Sequence, residues 1–199
     1  GSVLANESIL PKISQAFVKM LDGKDTINPD DAKWVEKGNW GTNGKFVVDK
    51  DGNAVIYAMD ASKPIVFHNM SDENDKLPTD TMTTLTFQDK VQGDINSSMY
   101  RAFAYSYSNP NLKTINNLDT NVDTSNVTDM RWMFYASQLT TVGDLSQWNT
   151  SNVTTIKGMF ANSQLTSVGD LSKWDISKVT DMGSMFYGSK LTPPAWYHE

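Results

Sequence analysis

Apolar and polar positions along this chain follow a pattern that recurs every 26 residues over its C-terminal half. Three copies carry equivalent serines, valines, Met-Phe pairs and leucines without any slippage between them. The equivalent sets are Ser125, Ser151 and Ser177; Val127, Val153 and Val179; Met133-Phe134, Met159-Phe160 and Met185-Phe186; and Leu139, Leu165 and Leu191. A fixed period of about 20–50 residues is typical of repeat proteins, in which neighbouring units bury one another's apolar sides.

Within one copy, the pattern predicts a strand followed by a short helix. The segment "LTTVGDLS" reads as a strand with a bulge at Gly143, and "VTTIKGMF" places Val153, Ile156 and Met159 on one side of a helical turn. The Ser, Thr and Asn residues between Trp148 and Val153 are predicted to form a turn whose side chains satisfy backbone groups. An imperfect copy, "MYRAFAYS", precedes the regular copies at an offset of 31 residues.

The N-terminal half shows a different pattern. Helices are predicted over 7–21 and 28–38, the second with Asn28 as its cap and Gly38 at its end. A hairpin around Asp51-Gly52 and strands at "PIVFH" and "TTLTF" follow. Gly1 and Ser2 read as a cloning remnant. The predicted organisation is a helical segment over 3–38, a β-rich capping unit over 39–98 and repeats with an end piece over 99–199.

These observations predict an α+β fold: a short leucine-rich-repeat solenoid of 26-residue repeats with a helical plus β-rich N-terminal cap. The copies "LDTNVDTSNVTDMRWMFYAS", "DLSQWNTSNVTTIKGMF" and "DLSKWDISKVTDMGSMFYGS" resemble the BspA-like leucine-rich repeats of surface proteins of lactic-acid bacteria. Thr155 and Val122 depart from that pattern, where an aspartate and a tryptophan are usual. The resemblance implies export, display on the bacterial surface, adhesion to host material and no enzymatic activity.

Composition narrows the classes of function. The formal net charge is −6, which gives no basic footprint for nucleic acid, and no apolar run approaches the roughly 20 residues of a membrane span. The chain has no cysteine and only two histidines, His68 and His198, so thiolate sites and His-dependent catalysis are not expected. No cofactor is predicted. Because no signal or anchor is visible, the sequence fits either a piece of an exported protein or a complete cytosolic one.

Calcium is the one metal for which the sequence offers a pattern. The stretch Asp49–Asn53, "DKDGN", resembles the start of an EF-hand loop, but Asp60 stands where a bidentate glutamate is required. Asp123 and Asp175 are a second calcium possibility at the repeat corners. A hairpin turn and solvated turn carboxylates are the favoured readings, so no metal site is predicted.

Candidate binding residues are those that vary between copies while their neighbours stay fixed. Trp132 aligns with Gly158, which predicts an exposed position, although packing under the Tyr105–Asn111 loop is an alternative. Exposed aromatic residues near arginine are common anchors of interfaces. The predicted ligand-binding residues are Arg131, Trp132, Tyr135 and Tyr187, together with Asp144, Gln147, Asp170 and Lys173 on the predicted strand face.

The expected function is that of a non-enzymatic cell-surface adhesin that binds a host epithelial surface protein or mucin. A sequence pI near 4.9 suggests stronger attachment at acidic pH, because repulsion from anionic host surfaces falls as carboxylates are neutralised. The alternative is a structural repeat spacer or self-association module of a cell-wall protein. The unevenness of the copies favours the adhesin.

Overall fold

The computed structural model describes residues 26–72, 75–77, 81–105 and 110–199, which contain two β-sheets and very little helix. Residues 33–199 form one compact unit. The strands are β1 (Trp34–Trp40), β2 (Gly44–Asp49), β3 (Asn53–Ala58), β4 (Ile65–Asn69), β5 (Thr84–Phe87), β6 (Val91–Ser98), β7 (Thr114–Asn116), β8 (Val122–Asp123) and β9 (Val127–Asp129). An α-helix spans Leu118–Asn121, and 3-10 helices span Leu145–Gln147 and Leu171–Lys173.

The first sheet has the order β1-β2-β3-β5-β7 and is antiparallel over β1 to β3 and parallel beyond. The predicted hairpin around Asp51-Gly52 is confirmed, because β2 and β3 pair across this turn. Asp49 accepts hydrogen bonds from the backbone N–H groups of Asp51 and Asn53, both at 2.9 Å. Gly52 adopts a φ of 84°, a left-handed conformation that glycine reaches without a steric penalty.

The second sheet is parallel, with β6 pairing β4 on one side and β8 and β9 on the other. The strands predicted at "PIVFH" and "TTLTF" are confirmed as β4 and β5. Because β6 ends at Ser98 while β8 and β9 belong to the first regular repeat, the sheet continues across the predicted 98/99 boundary.

The predicted fold class, an α+β leucine-rich-repeat solenoid with a helical cap, is wrong for the described residues. They form mainly β structure, and their α-helix has only four residues. The helix predicted over 28–38 is wrong because the Asn28 side chain accepts the N–H of Asp30 at 3.1 Å and closes a turn. The chain then enters strand β1, whose last residue, Trp40, is fully buried. The helix predicted over 7–21 lies outside the described residues.

The strand and helix predicted within each repeat are also wrong. Asp144 accepts the N–H of Ser146 at 3.0 Å and caps a 3-10 helix where the strand was expected. In the segment expected to be helical, alternate N–H groups bond to the next repeat instead of to their own turn. Phe134 donates to the carbonyl of Met159 and Phe160 to that of Met185, at 2.9 and 3.0 Å. These inter-repeat bonds replace the i to i−4 bonds of a helix.

The residues 99–192, called the repeat array below, are held together by matching contacts at the 26-residue step. Four phenylalanine rings stack in a column, with centroid distances of 5.4, 5.7 and 5.7 Å. These rings belong to Phe103, Phe134, Phe160 and Phe186. The turn prediction between Trp148 and Val153 is confirmed, because Thr150 donates its hydroxyl to the carbonyl of Asp175 at 3.0 Å. The side chains at the corners thus satisfy backbone groups of the neighbouring repeat.

Candidate functional site

The structure brings five aromatic and arginine side chains together where the first regular repeat meets the imperfect copy before it. We call this set the arginine–aromatic cluster; it comprises Tyr100, Arg101, Arg131, Trp132 and Tyr135. The backbone holds the two copies in register, because the N–H of Arg101 donates to the carbonyl of Arg131 at 3.1 Å. The predicted residues Arg131, Trp132 and Tyr135 therefore lie in one place.

Arg131 is fixed by a two-pronged ion pair with Asp129. Its Nε lies 3.0 Å from Oδ1 and its Nη2 lies 2.7 Å from Oδ2 of that carboxylate. The hydrogen bonds that Arg131 donates to Asp129 are the main reason that the pKa of Arg131 is raised. The arginine side chain nevertheless remains 43% exposed, so it is accessible to a partner.

Two guanidinium groups lie close to the ring of Tyr100. The central carbon of Arg131 is 4.7 Å from the ring centroid, and that of Arg101 is 5.0 Å from it. Both distances fall within the range of about 6 Å at which a cation is attracted to an aromatic face. Positive charge and aromatic surface are thus combined at one position of an otherwise acidic chain.

Trp132 forms the aromatic side of the cluster. Its ring meets Tyr135 edge to face, at 5.4 Å and an interplanar angle of 88°. The indole also covers Gly158, where any side chain would overlap it. The prediction of exposure is therefore only partly met, since Trp132 is half-buried. A hollow of about 240 Å³ remains between Arg101, Trp132 and Tyr135.

Sequence reasoning missed Tyr100 and Arg101, although a signal for them was present. Aligning "MYRAFAYS" with "MRWMFYAS" places Arg101 opposite Trp132 and Tyr100 opposite Arg131. Both Arg101 and Trp132 have a φ of 54°, and Gly158 and Ser184 at the equivalent positions have φ values of 61° and 56°. The variability of this column thus reflects a left-handed backbone as well as a surface position.

The remaining predicted residues form separate features. Tyr187 is 67% exposed and occupies the column of Tyr135, but the repeat that carries Ala161 lies between them. The other four belong to the two 3-10 helices and not to strands. Asp144 and Asp170 are the N-caps of these helices, and Gln147 and Lys173 are their last residues. Hydrogen bonds from Ser146 and Ser172 lower the pKa of Asp144 and Asp170, respectively. Both aspartates therefore stabilise the 3-10 helices as N-caps.

The aspartates considered as calcium ligands form hydrogen-bonded turns. Asp123 and Asp175 each accept the backbone N–H of a serine two residues later, at 2.9 Å. Asn149, at the equivalent position between them, accepts the N–H of Ser151 at 3.0 Å. The described residues contain no group of three or more His, Cys, Asp or Glu side chains arranged to hold a metal ion. His68 pairs with Asp94, with 2.7 Å between Nδ1 and Oδ1, and this hydrogen bond is the main cause of its raised pKa.

Comparison with known proteins gives one match. Residues 97–193 match a protein family described as "Mycoplasma protein of unknown function, DUF285", a region that contains the whole repeat array. No curated protein matches the chain. No solved structure matches it either. Within the described residues, no helix is long and apolar enough to cross a membrane.

Proposed function

We propose that this chain is part of a non-enzymatic adhesin of the bacterial surface, which binds a host epithelial surface protein or mucin. The observation that carries the proposal is the arginine–aromatic cluster, which concentrates interface-forming side chains at one position of the repeat array. Arginine, tryptophan and tyrosine are the residues most often found to dominate binding energy at interfaces. The resemblance of the repeats to those of BspA-like surface proteins supports the same proposal.

The geometry of the cluster suits recognition of a macromolecule at its surface. Arg131 is already oriented by Asp129, so little side-chain entropy is lost when its exposed face meets a partner. Trp132 and Tyr135 hold each other edge to face and offer rigid apolar area beside that charge. Host mucins carry sulfate and sialate groups, which a guanidinium beside an aromatic ring attracts.

The direct test is attachment of the purified protein to mucin-coated plates and to epithelial cells, comparing the natural chain with Trp132→Ala. We expect attachment to weaken about tenfold or more, because loss of an interface anchor commonly costs at least 2 kcal/mol. Ile95→Ala is the control, since Ile95 is 78% exposed and lies outside the repeat array. Tyr187→Ala then shows whether the binding face extends along the array.

Two results would count against the proposal. Equal attachment of Trp132→Ala and the natural chain, with unchanged urea unfolding curves, would remove the cluster from the binding face. Failure of the natural chain to attach to any host surface would favour the spacer role instead.

A further inference from the structure

A second concave feature lies beside the start of the repeat array, separate from the arginine–aromatic cluster. It is a groove of about 640 Å³ between strands β6 and β8 and the first 3-10 helix. Its lining includes Val91, Gln92, Val122, Asp123, Gln147 and Trp148. The volume falls in the range of about 300–1,000 Å³ that is typical of small-molecule sites. We call it the Val122 groove.

The groove coincides with a gap in a column of tryptophans. The indole N–H groups of Trp148, Trp174 and Trp196 each donate to a carbonyl of the preceding repeat, those of Leu118, Leu145 and Leu171, at 3.3, 2.8 and 2.8 Å. Val122 occupies the equivalent position one repeat before Trp148, and its strand partner is Val91. Two successive positions therefore lack the indole that fills the later ones.

The groove combines an apolar floor with a polar rim. Val91, Val122 and Trp148 are each at most 5% exposed and form the floor. Gln92 and Gln147 provide uncharged amide groups at the rim. Asp123 accepts the N–H of Ser125 through Oδ1, while its Oδ2 has no hydrogen-bond partner in the described part of the chain. Donors and acceptors are thus available above an apolar surface.

Charge restricts the ligand further. The lining contains one lysine, Lys90, and two aspartates, Asp119 and Asp123, so its formal charge is −1. Lys90 already donates to the carbonyl of Thr120 at 2.8 Å, and the Asp119 carboxylate accepts the N–H of Asp144 at 2.9 Å. The net charge repels sulfate and carboxylate groups, and the described side chains provide no metal cluster.

We infer that the Val122 groove binds an uncharged pyranose residue of a glycan chain. A pyranose ring has one apolar C–H face, which suits the narrow apolar strip that Val91, Val122 and Trp148 leave uncovered at the bottom of the groove. Its hydroxyl groups both donate and accept, which matches the amides of Gln92 and Gln147 and the open oxygen of Asp123. The inference rests on the proposed adhesive function only for the choice of host glycans as the source of that sugar.

The test is an NMR titration of ¹⁵N-labelled protein with methyl β-galactoside and with methyl N-acetyl-α-galactosaminide, each at millimolar concentration. We expect at least one of them to shift amide signals of Gln92, Val122 and Asp123 in a saturable way. Val122→Trp should abolish these shifts, because it restores the indole of the later repeats and fills the groove. The same variant is expected to keep or raise the unfolding midpoint in urea.

A second pair of variants keeps the test valid if Val122→Trp fails to fold. Gln92→Ala and Gln147→Ala should each weaken sugar binding severalfold, whereas Gln164→Ala should not, since exposed Gln164 does not line the groove. Absence of shifts with both sugars would overturn the inference. Shifts that persist in a folded Val122→Trp protein, or in both glutamine variants, would also overturn it.

Attachment to mucin is scored separately, so the two proposals fail independently. Sugar shifts without mucin attachment would leave the groove as a sugar site and remove the adhesive function. Mucin attachment without sugar shifts would support the adhesive function and overturn the sugar site in the groove. Equal binding of chemically deglycosylated mucin through the groove would assign it to peptide and overturn the sugar inference.

Discussion

At the scale of single residues, the column that contains Trp132 shows how one side chain constrains another in the next repeat. Gly158 has a φ of 61°, and the Trp132 indole occupies the space that a side chain on Gly158 would need. Two features therefore favour glycine at position 158: the left-handed backbone and the close approach of an aromatic ring.

Gly158→Ala is expected to destabilise the protein by about 1–3 kcal/mol, because alanine is strained at positive φ and its methyl group meets the indole. In a Trp132→Ala background the clash disappears, and only the cost of the left-handed conformation, about 1 kcal/mol, should remain. Urea unfolding of the natural chain, the two single variants and the double variant measures the coupling between Gly158 and Trp132. Equal destabilisation in both backgrounds would show that the indole does not press on Gly158.

At the scale of elements, the array depends on short polar caps more than on regular secondary structure. Asp170 accepts the N–H of Ser172 at 3.0 Å and begins a 3-10 helix, and Asp175 accepts the N–H of Ser177 at 2.9 Å in the following turn. These bonds lower the pKa of both carboxyl groups below the ordinary value of 3.8.

A lowered pKa predicts how stability depends on pH. The contribution of Asp170 and Asp175 is fully present above pH 3.8 and is lost as the pH falls through their lower folded pKa values. The double variant Asp170→Asn and Asp175→Asn keeps an acceptor oxygen, as Asn149 does naturally, but no charge. Its melting temperature should fall less than that of the natural chain between about pH 5 and pH 2.5. Glu36→Gln on strand β1 is the control. An equal fall of the melting temperature in the natural chain, the double variant and the control would refute the prediction.

The sequence predicted some of the secondary-structure elements correctly and others not. The hairpin at Asp51-Gly52 and strands β4 and β5 were predictable, because turn residues and β-branched runs act locally. The interior of each repeat was not, since Phe134 and Phe160 bond to neighbouring repeats and such bonds leave no periodicity within one copy. Variation between copies singled out Arg131 and Trp132, and their role in binding stays a prediction. The missing tryptophan at Val122 was visible in the sequence, but the groove beside it was not, because it also needs strands β6 and β8 to be brought together.

At the scale of the whole molecule, the net charge determines how strongly the protein is repelled by an anionic surface. The formal charge of −6 becomes −4 when both histidines are protonated, which is −6 plus 2. Asp144, Asp170 and Asp175 have lowered pKa values and so keep their charge in mild acid.

We expect attachment to anionic mucin to be stronger at about pH 4.5 than at pH 7, because long-range repulsion falls with the net negative charge. The difference should shrink as salt is added, since exposed charges are screened beyond about 8 Å at physiological ionic strength. Plate attachment at both pH values and at two salt concentrations measures this. Equal attachment at both pH values in low salt would contradict the prediction.

The hydrogen bonds between repeats have a mechanical consequence. These bonds join each repeat to the next, as the stacked phenylalanine rings do. A force applied along the array therefore acts on the set of bonds between each pair of neighbouring repeats. The protein would then lengthen in steps, releasing one repeat while the others stay folded. A released repeat of 26 residues extends by up to about 90 Å. A tether with this property yields under a sudden load before it breaks.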